Sequence, residues 1–524
     1  MNKIWRTTPQ NPDAADKISR GLGVSPVLGR IFAARGFDGP EAAGNFLSAK
    51  LSDLPDPFLI HDMGKAANRI ADGVAGGEPI WIYTDFDADG VTSAALLALF
   101  FGAVGAKWRA RLPRRDRDGY GLNAEILREI KEEGGGLVVT ADCGIASLAE
   151  ARLARELGLP LVITDHHTPA SQLPEAEAVV NPKIEGSSYP DKMLAGVGVA
   201  WNLCAAVRKT LKERGWFSAE RPEPDIKEYL DLVALGTIAD LVPLVEVNRI
   251  LVRAGIGVMN KNPRPGIFAL AETAMLSSQY RAGHLAYQLA PRINAAGRME
   301  SPVAALDLLL ADSVTEAMPL ARQLSMLNDE RRAEEMASFI NAKEVIRQNG
   351  WSAGRLSLVV EGESYHAGVV GIVASRLVDK FGRPSVVIAS REEICKGSAR
   401  SMGGLDIHET LGDCADLLIA FGGHKGAAGI TIERRNIPKF RERFEQAVKK
   451  RITEKDLAPS VTADTFAAVS EMTLPLLAEL ERLDPFGYGN PSPVILMENL
   501  LVTEAGYMGE GGKHLRLRLS GAER

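Results

Sequence analysis

From Pro79 onward, short apolar runs alternate with stretches of helical period. PIWIYTD (79–85), KWRARL (107–112), GLVVTAD (136–142) and LPLVITD (159–165) predict buried strands. VTSAALLALFFGAVG (91–105), NAEILREIKEEG (123–134) and ASLAEARLARELG (146–158) predict the helices between them. This alternation predicts a parallel, doubly wound α/β sheet. Residues 196–262 and 303–348 carry apolar positions at helical spacing, and the charged run Met326–Glu335 predicts an exposed connecting helix. A second α/β pattern begins at RLSLVVEG (355–362), continues through a helix around Val369–Phe381 and RPSVVIAS (383–390), and ends near Lys450. Beyond Ile452, SPVILMENLLVTE (492–504) and KHLRLRLS (513–520) predict short strands. In the second of these, His514, Arg516 and Arg518 share one face and Leu515, Leu517 and Leu519 the other. The first 75 or so residues are mixed, with loop punctuation at Gly39-Pro40 and Pro55-Asp56-Pro57.

Composition adds mainly exclusions. A chain of 524 residues buries several cores, so a bound metal would serve chemistry rather than rescue a small fold. Basic and acidic residues number 61 and 67, a net charge of −6, so any anionic substrate must be held by local positive charge or bound cations. Cys143, Cys204, Cys395 and Cys414 are scattered, which argues against a disulfide framework and fits a reducing cytoplasm. The N-terminal residues show no secretory signal. The longest apolar stretch, Val91–Ala106, is short for a bilayer and reads as a buried helix. A cytoplasmic protein without a membrane segment is expected.

In an open parallel sheet, ligands bind beyond the carboxyl ends of the strands. The first strand runs into Asp85-Phe86-Asp87-Ala88-Asp89-Gly90, a later one ends at Asp142, and the next at Asp165-His166-His167. Asp240 closes the apolar helical run DLVALGTIAD and offers one more carboxylate. Singly, an acidic turn is usually solvated and a histidine pair usually structural. Gathered at one sheet edge, these groups disfavour one another's charge unless cations neutralise them. Oxygen ligands with one or two imidazoles suit Mn²⁺ or Mg²⁺ better than zinc. Two such ions roughly 3.5–4 Å apart favour in-line hydrolysis of a phosphate ester or anhydride. Cys143, beside Asp142, reads as a buried inert thiol.

DFDADG (85–90), TADCG (140–144), TDHH (164–167) and GTIAD (236–240) resemble, in order, the four motifs of the DHH phosphoesterase superfamily. GYGLN (119–123), APRINAAGRM (290–299), GVVGIVASRL (368–377) and PFGYGNPSPV (485–494) are similar to its bacterial single-strand exonuclease branch. The likeness covers nearly all of the chain from about Pro57. It implies an α/β protein with an N-terminal segment (1–56), a DHH-type parallel-sheet catalytic domain (57–310), a connecting helix (311–350), a DHH-associated α/β domain (351–451) and an OB-like single-strand-binding β domain (452–524). The sequence stops at SGAER, and the OB-like domain is expected to be incomplete.

The implied activity is 5′-to-3′ exonucleolysis of single-stranded DNA with two Mn²⁺ or Mg²⁺ ions, in recombination and repair. The resemblance assigns Asp87 to the first ion and Asp89 to the second, with Asp142 bridging both. His166 and Asp240 complete the second site, and His167 lies beside the scissile phosphate. Asp85 is a ligand of the first ion or orients water. A monomer is expected, with single-stranded DNA as partner and a single-strand-binding protein or helicase as accessory.

DNA contacts are expected from several segments. WRARLPRRDRDGYG holds Arg109, Arg111, Arg114, Arg115 and Arg117; Arg109 and Arg111 are the favoured phosphate contacts, against a solvated loop paired with Asp116 and Asp118. Tyr120 is a candidate for base stacking or packing. Arg292, Asn294 and Arg298 are expected near the scissile phosphate. The glycine-rich loops KGSARSMGG (396–404) and FGGHKGAAG (421–429) offer Ser398, Arg400, Ser401 and His424. Ser375 and Arg376 are placed at a terminal 5′-phosphate. The rivals are a DHH-type oligonucleotide or cyclic-dinucleotide phosphodiesterase, a pyrophosphatase of the same superfamily, and a catalytically silent DNA-binding scaffold.

Overall fold

The structure is a computed structural model that describes residues 4–115, 117–276, 279–458 and 460–521. The chain divides into two compact units, one of residues 1–54, 243–253 and 460–524, the other of residues 55–242 and 254–459.

The larger unit contains both α/β patterns. Its first sheet is built from β1 (Ile80–Thr84), β2 (Trp108–Arg111), β3 (Leu137–Ala141), β4 (Leu161–Thr164) and β5 (Ala178–Val180), in the order β2-β1-β3-β4-β5 and parallel throughout. The short strand β5 was not legible in the apolar pattern. Helices α1 (Ala88–Ala103), α2 (Ala124–Glu132) and α3 (Leu148–Glu156) follow β1, β2 and β3. α1 is apolar on every side and correspondingly buried on every side. It packs against α4 (Gly196–Glu213) and α5 (Leu230–Ala239). On the opposite face, Trp81, Tyr83, Val138 and Ile163 pack against Leu127 and Ile130 of α2. The register aligns Thr84 with Ala141 and Thr164 with Val180, so β1, β3 and β4 end together and the residues that follow them share one edge.

Further along, α6 (Ala290–Met299) precedes the 35-residue helix α7 (Val314–Gln348). The charged stretch of α7 is not wholly solvated as expected. Leu327, Asn328 and Arg331 are buried, and Arg331 is satisfied by Asn328 Oδ1 and by Glu335 at 2.7 Å. A helix with charge all round still buries one face where its ions pair along it. The second sheet comprises β6 (Leu358–Gly362), β7 (Ser385–Ala389), β8 (Ile394–Arg400), β9 (Ala420–His424) and β10 (Ala427–Glu433). Its order is β9-β10-β8-β7-β6, with only β6–β7 parallel, joined through α8 (Val370–Phe381). Among the described residues, no helix is long and apolar enough to cross a membrane.

In the smaller unit, helices Pro12–Leu22, Pro26–Ala34 and Pro40–Ser48 each open on proline, whose missing N–H is an orphan there anyway. Ile18, Leu28, Ile31 and Phe32 pack with Leu476 and Leu483 from the far end of the chain, and Ile4–Thr7 pairs in parallel with Ser460–Ala463. The C-terminal hairpin, Leu500–Met508 with His514–Gly521, leaves Leu515, Leu517 and Leu519 exposed. Arg249 ties this unit together. Almost fully buried, its guanidinium donates to the carbonyls of Phe46 (2.9 Å), Leu483 (2.8 Å), Arg482 (3.1 Å) and Asp484 (3.0 Å), and lies over the Phe46 ring. A lysine has no fork to reach four acceptors. Arg249→Met should therefore destabilise this unit by about 3 kcal/mol, since carbonyls lose a charged donor in a dry site. Scanning calorimetry should show an earlier transition for this unit, while Mn²⁺ binding by the chain stays at the wild-type level.

Candidate active site

The shared strand edge forces the acidic residues together. Asp85 follows β1 directly, and Asp87 then caps α1, its Oδ1 accepting the N–H groups of Asp89 (2.9 Å) and Gly90 (3.1 Å). Asp89, in the first turn of α1, is held from the other side by the N-terminus of α4. The Gly196 N–H donates to its Oδ2 at 2.7 Å and the Val197 N–H to its Oδ1 at 2.8 Å. Such close approach requires glycine: a Cβ on Gly196 would stand 2.6 Å from the Asp142 Cβ. Asp142 follows β3 in a left-handed conformation (φ 62°), an uncommon state for a non-glycine residue. The Thr140 hydroxyl, bonded to the Cys143 carbonyl at 2.8 Å, braces that turn. Asp240 sits at the C-terminal cap of α5, where a carboxylate meets the negative end of the helix dipole.

The side chains converge on His166. Its Nε2 lies 3.1 Å from Asp142 Oδ1, 3.6 Å from Asp240 Oδ2 and 3.9 Å from Asp89 Oδ2. Ligand atoms come together in three overlapping groups: Asp85, Asp87 and Asp142; Asp89, His166 and Asp240; and Asp142, His166 and His167. Burial, and then neighbouring carboxylates, hold Asp85 and Asp142 well above the usual carboxylate range and push Asp89 to about 7 and Asp240 to about 9. Burial, reinforced by His167, lowers His166 to about 3, which leaves a neutral imidazole with a free lone pair. Asp85 Oδ1, Asp142 Oδ1 and both ring nitrogens of His166 are buried and, despite the short His166–Asp142 approach, make no well-aligned hydrogen bond among the described residues. Each such orphan costs about 1–3 kcal/mol. The donor set, carboxylates with imidazole and no thiolate, fits divalent Mn²⁺ or Mg²⁺.

His167 is placed differently. Its Nδ1 is 2.8 Å from Asp165 Oδ1, and Asp165 also accepts the N–H groups of His166, His167 and Ile145. Burial works against the charged ring, but the bond to Asp165 and the charges of Asp165, Asp89 and Asp87 together outweigh it and raise the His167 pKa. The Tyr120 hydroxyl lies 3.0 Å from His167 Nδ1 and 3.2 Å from Nε2.

Tyr120 also lines a cavity of about 570 Å³ with Phe86, Arg115, Arg298, Ser398 and Arg400. Arg298, whose Nη1 donates to the Gly368 carbonyl at 3.0 Å, is lowered to about 10 by burial and then by Arg115 and other arginines. Arg400 bonds Ser398 Oγ at 2.7 Å and lies so near the start of α8 that a Cβ on Gly371 would stand 2.9 Å from its Nη2. A guanidinium at the positive end of a helix beside two further arginines is a site prepared for an anion.

The other expected DNA contacts are distributed. Arg109 and Arg111, on the edge strand β2, both pair with Glu133 at the end of α2 and stack over Trp81. Arg115 is the arginine of that run that lines the cavity. Asp118 accepts the Arg114 N–H and the Arg117 Nε–H; Asp116 lies outside the described residues. Arg292 bonds Ser325 Oγ and the Gln288 carbonyl. Asn294 Oδ1 accepts the Ala88 N–H at 2.8 Å. Ser375 bonds the Gly371 carbonyl within its own helix, Arg376 pairs with Glu335 at 2.9 Å, and His424 ends β9 on the surface. Sequence reasoning passed over Gly196 and Asp165 as a partner of His167, and favoured Arg109 and Arg111 over Arg115 within the same run. The run AGVGVA at the start of α4 was the available signal for Gly196, since small residues there mark close backbone approach.

Comparison with known proteins places the chain in a family. Residues 79–237 match the DHH family N-terminal domain, residues 355–450 the DHHA1 domain and residues 463–524 the RecJ OB domain. The chain is 38% identical over 521 residues to the single-stranded-DNA-specific exonuclease RecJ of Bacillus subtilis, covering 98% of this chain but 64% of the relative, just under two thirds of its length. It is 38% identical to RecJ of Dickeya dadantii, covering 91% of this chain and 85% of that one. RecJ from Thermus thermophilus in complex with Mn²⁺ superimposes with a TM-score of 0.84 at 32% identity, over 99% of this chain and 74% of that chain. The same protein in complex with Mg²⁺ gives 0.77 at 30% identity, over 98% and 71%. With its acidic strand edge, its second α/β sheet and these relatives, the chain belongs to the RecJ family of single-stranded-DNA-specific exonucleases.

Proposed function

We propose that this chain hydrolyses single-stranded DNA from its 5′ end by two-metal phosphodiester cleavage. What supports it is the meeting of overlapping ligand groups, with orphaned atoms on Asp85, Asp142 and His166, beside an arginine-lined cavity. Asp85, Asp87 and Asp142 would hold one divalent ion and Asp89, His166 and Asp240 the other, with Asp142 between them. Bound there, the ions would supply Lewis-acid activation of the phosphodiester and of the attacking water. Asp165 keeps His167 oriented and favours its charged form, which would face the negative charge of the scissile phosphate. Arg115, Arg298 and Arg400 hold strand phosphates, and Tyr120 presents its ring to the bases at the same cavity. The roles of Arg109, Arg111, Ser375 and Arg376 are then structural or peripheral, since each is engaged within the fold. The partner is single-stranded DNA, delivered to a cytoplasmic monomer by a single-strand-binding protein or helicase.

Mn²⁺ added to chelator-treated protein should raise its melting temperature, by the equivalent of about 2.7 kcal/mol at a hundredfold excess over Kd. Asp142→Asn, which tolerates the left-handed backbone, should lose that response and all measurable hydrolysis. In chelator alone it should melt at or above wild type, because one repelling buried charge is gone. A lower melting temperature there would contradict the repulsion described.

Strands labelled at either end should shorten from the 5′ end in Mn²⁺, with duplex left intact. Preference for dinucleotides would favour the oligonucleotide phosphodiesterase reading instead. Arg298→Gln with Arg400→Gln should weaken strand binding and flatten its salt dependence by about one to two units of slope, measured by anisotropy in chelator. An unchanged slope would remove these arginines from the strand path.

A further inference from the structure

The acidic loop Asp85–Asp89 is gripped by a helix that contributes no metal ligand. α6 lies against it at two places one turn apart. Asn294 Oδ1 accepts the N–H of Ala88, the residue between Asp87 and Asp89, at 2.8 Å. At Gly297, a Cβ would stand 2.4 Å from the Phe86 carbonyl oxygen, so helix and loop touch backbone to backbone. The same helix carries Arg292, fixed to Ser325 of α7, and Arg298, fixed to the Gly368 carbonyl ahead of α8.

We propose that Asn294 is a positioning residue for the metal ligands, setting Asp87 and Asp89 through the Ala88 N–H rather than touching DNA. The inference rests on the two-metal reading above. The loop needs an outside anchor for a physical reason. Asp87 caps α1 with one oxygen and must offer the other to an ion, while Asp89 is drawn the opposite way by the Gly196 and Val197 N–H groups. Between two such pulls and the mutual repulsion of the carboxylates, the peptide joining them has one N–H left to hold its place. Asn294 takes it. Its amide oxygen is thereby committed to the Ala88 N–H. Groups that orient ligands without binding the metal typically change metal affinity or activity 10- to 100-fold.

Asn294→Ala in the full chain should weaken Mn²⁺ binding, read by calorimetry without DNA, about tenfold. At sub-saturating Mn²⁺ its kcat should fall about as far with KM unchanged, and saturating Mn²⁺ should restore it. Strand affinity in chelator, and its salt slope, should equal wild type. Gly297→Ala, which presses a Cβ on the Phe86 carbonyl, should weaken Mn²⁺ binding independently. Matching circular dichroism and melting in chelator would show that each variant is folded. Should one variant unfold, the other carries the comparison. Wild-type Mn²⁺ affinity in folded Asn294→Ala would overturn the proposal, and weaker strand binding with intact Mn²⁺ affinity would make Asn294 a DNA contact. A wild-type chain that takes up no Mn²⁺ would overturn the two-metal reading itself.

Discussion

Carboxylates crowded at the end of a parallel sheet repel one another, and much of the larger unit is built around holding them there. Asp85, Asp142 and Asp165 arrive at one edge because β1, β3 and β4 end in register. Asp89 and Asp240 are added from helices that pack on the sheet. Several local devices hold the cluster in place against the resulting repulsion. The N-terminus of α4 donates two N–H groups to Asp89, Asp142 takes a left-handed backbone, and α6 grips the intervening loop. Fixed dipoles of this kind need no reorganisation when an ion arrives. The residual frustration shows as raised carboxylates and, among the described residues, unpartnered atoms.

The positive side of the site follows a complementary logic. The chain as a whole is slightly acidic, so attraction for a polyanion must be local. Arg115 comes from the first sheet's loops, Arg298 from α6 and Arg400 from the second sheet, and all three line one cavity. Phe86 and Tyr120 line the same cavity. One α/β pattern thus concentrates negative charge at a sheet edge, while the second supplies Ser398 and Arg400 to the arginine-lined cavity.

The acidic motifs were readable because strand ends are readable. A run such as PIWIYTD announces both the strand and the residue that leaves it. Their chemistry follows from residue type alone. The basic residues were less legible, and Arg109 and Arg111 show why. On an exposed strand, alternation says which face a side chain takes but not what stands opposite, and Glu133 lies far along the chain. Asn294 is a similar case: between two arginines of its helix it reads equally as a ligand contact or a structural bond, and the Ala88 N–H it accepts lies 206 positions away.

Local pattern determined the two α/β modules, the long helix between them and the set of groups that meet at the sheet edge. These depend on periodicity and on the chemistry of individual side chains, both written in short stretches of sequence. Tertiary structure decided which arginine of the 109–117 run lines the cavity, and that Gly196 admits a helix end against the carboxylates. It also joined the first 54 residues with the last 65 around Arg249. Such contacts unite residues tens to hundreds of positions apart. Their energies arise from the distance and direction of groups across the fold, which no short stretch of sequence contains.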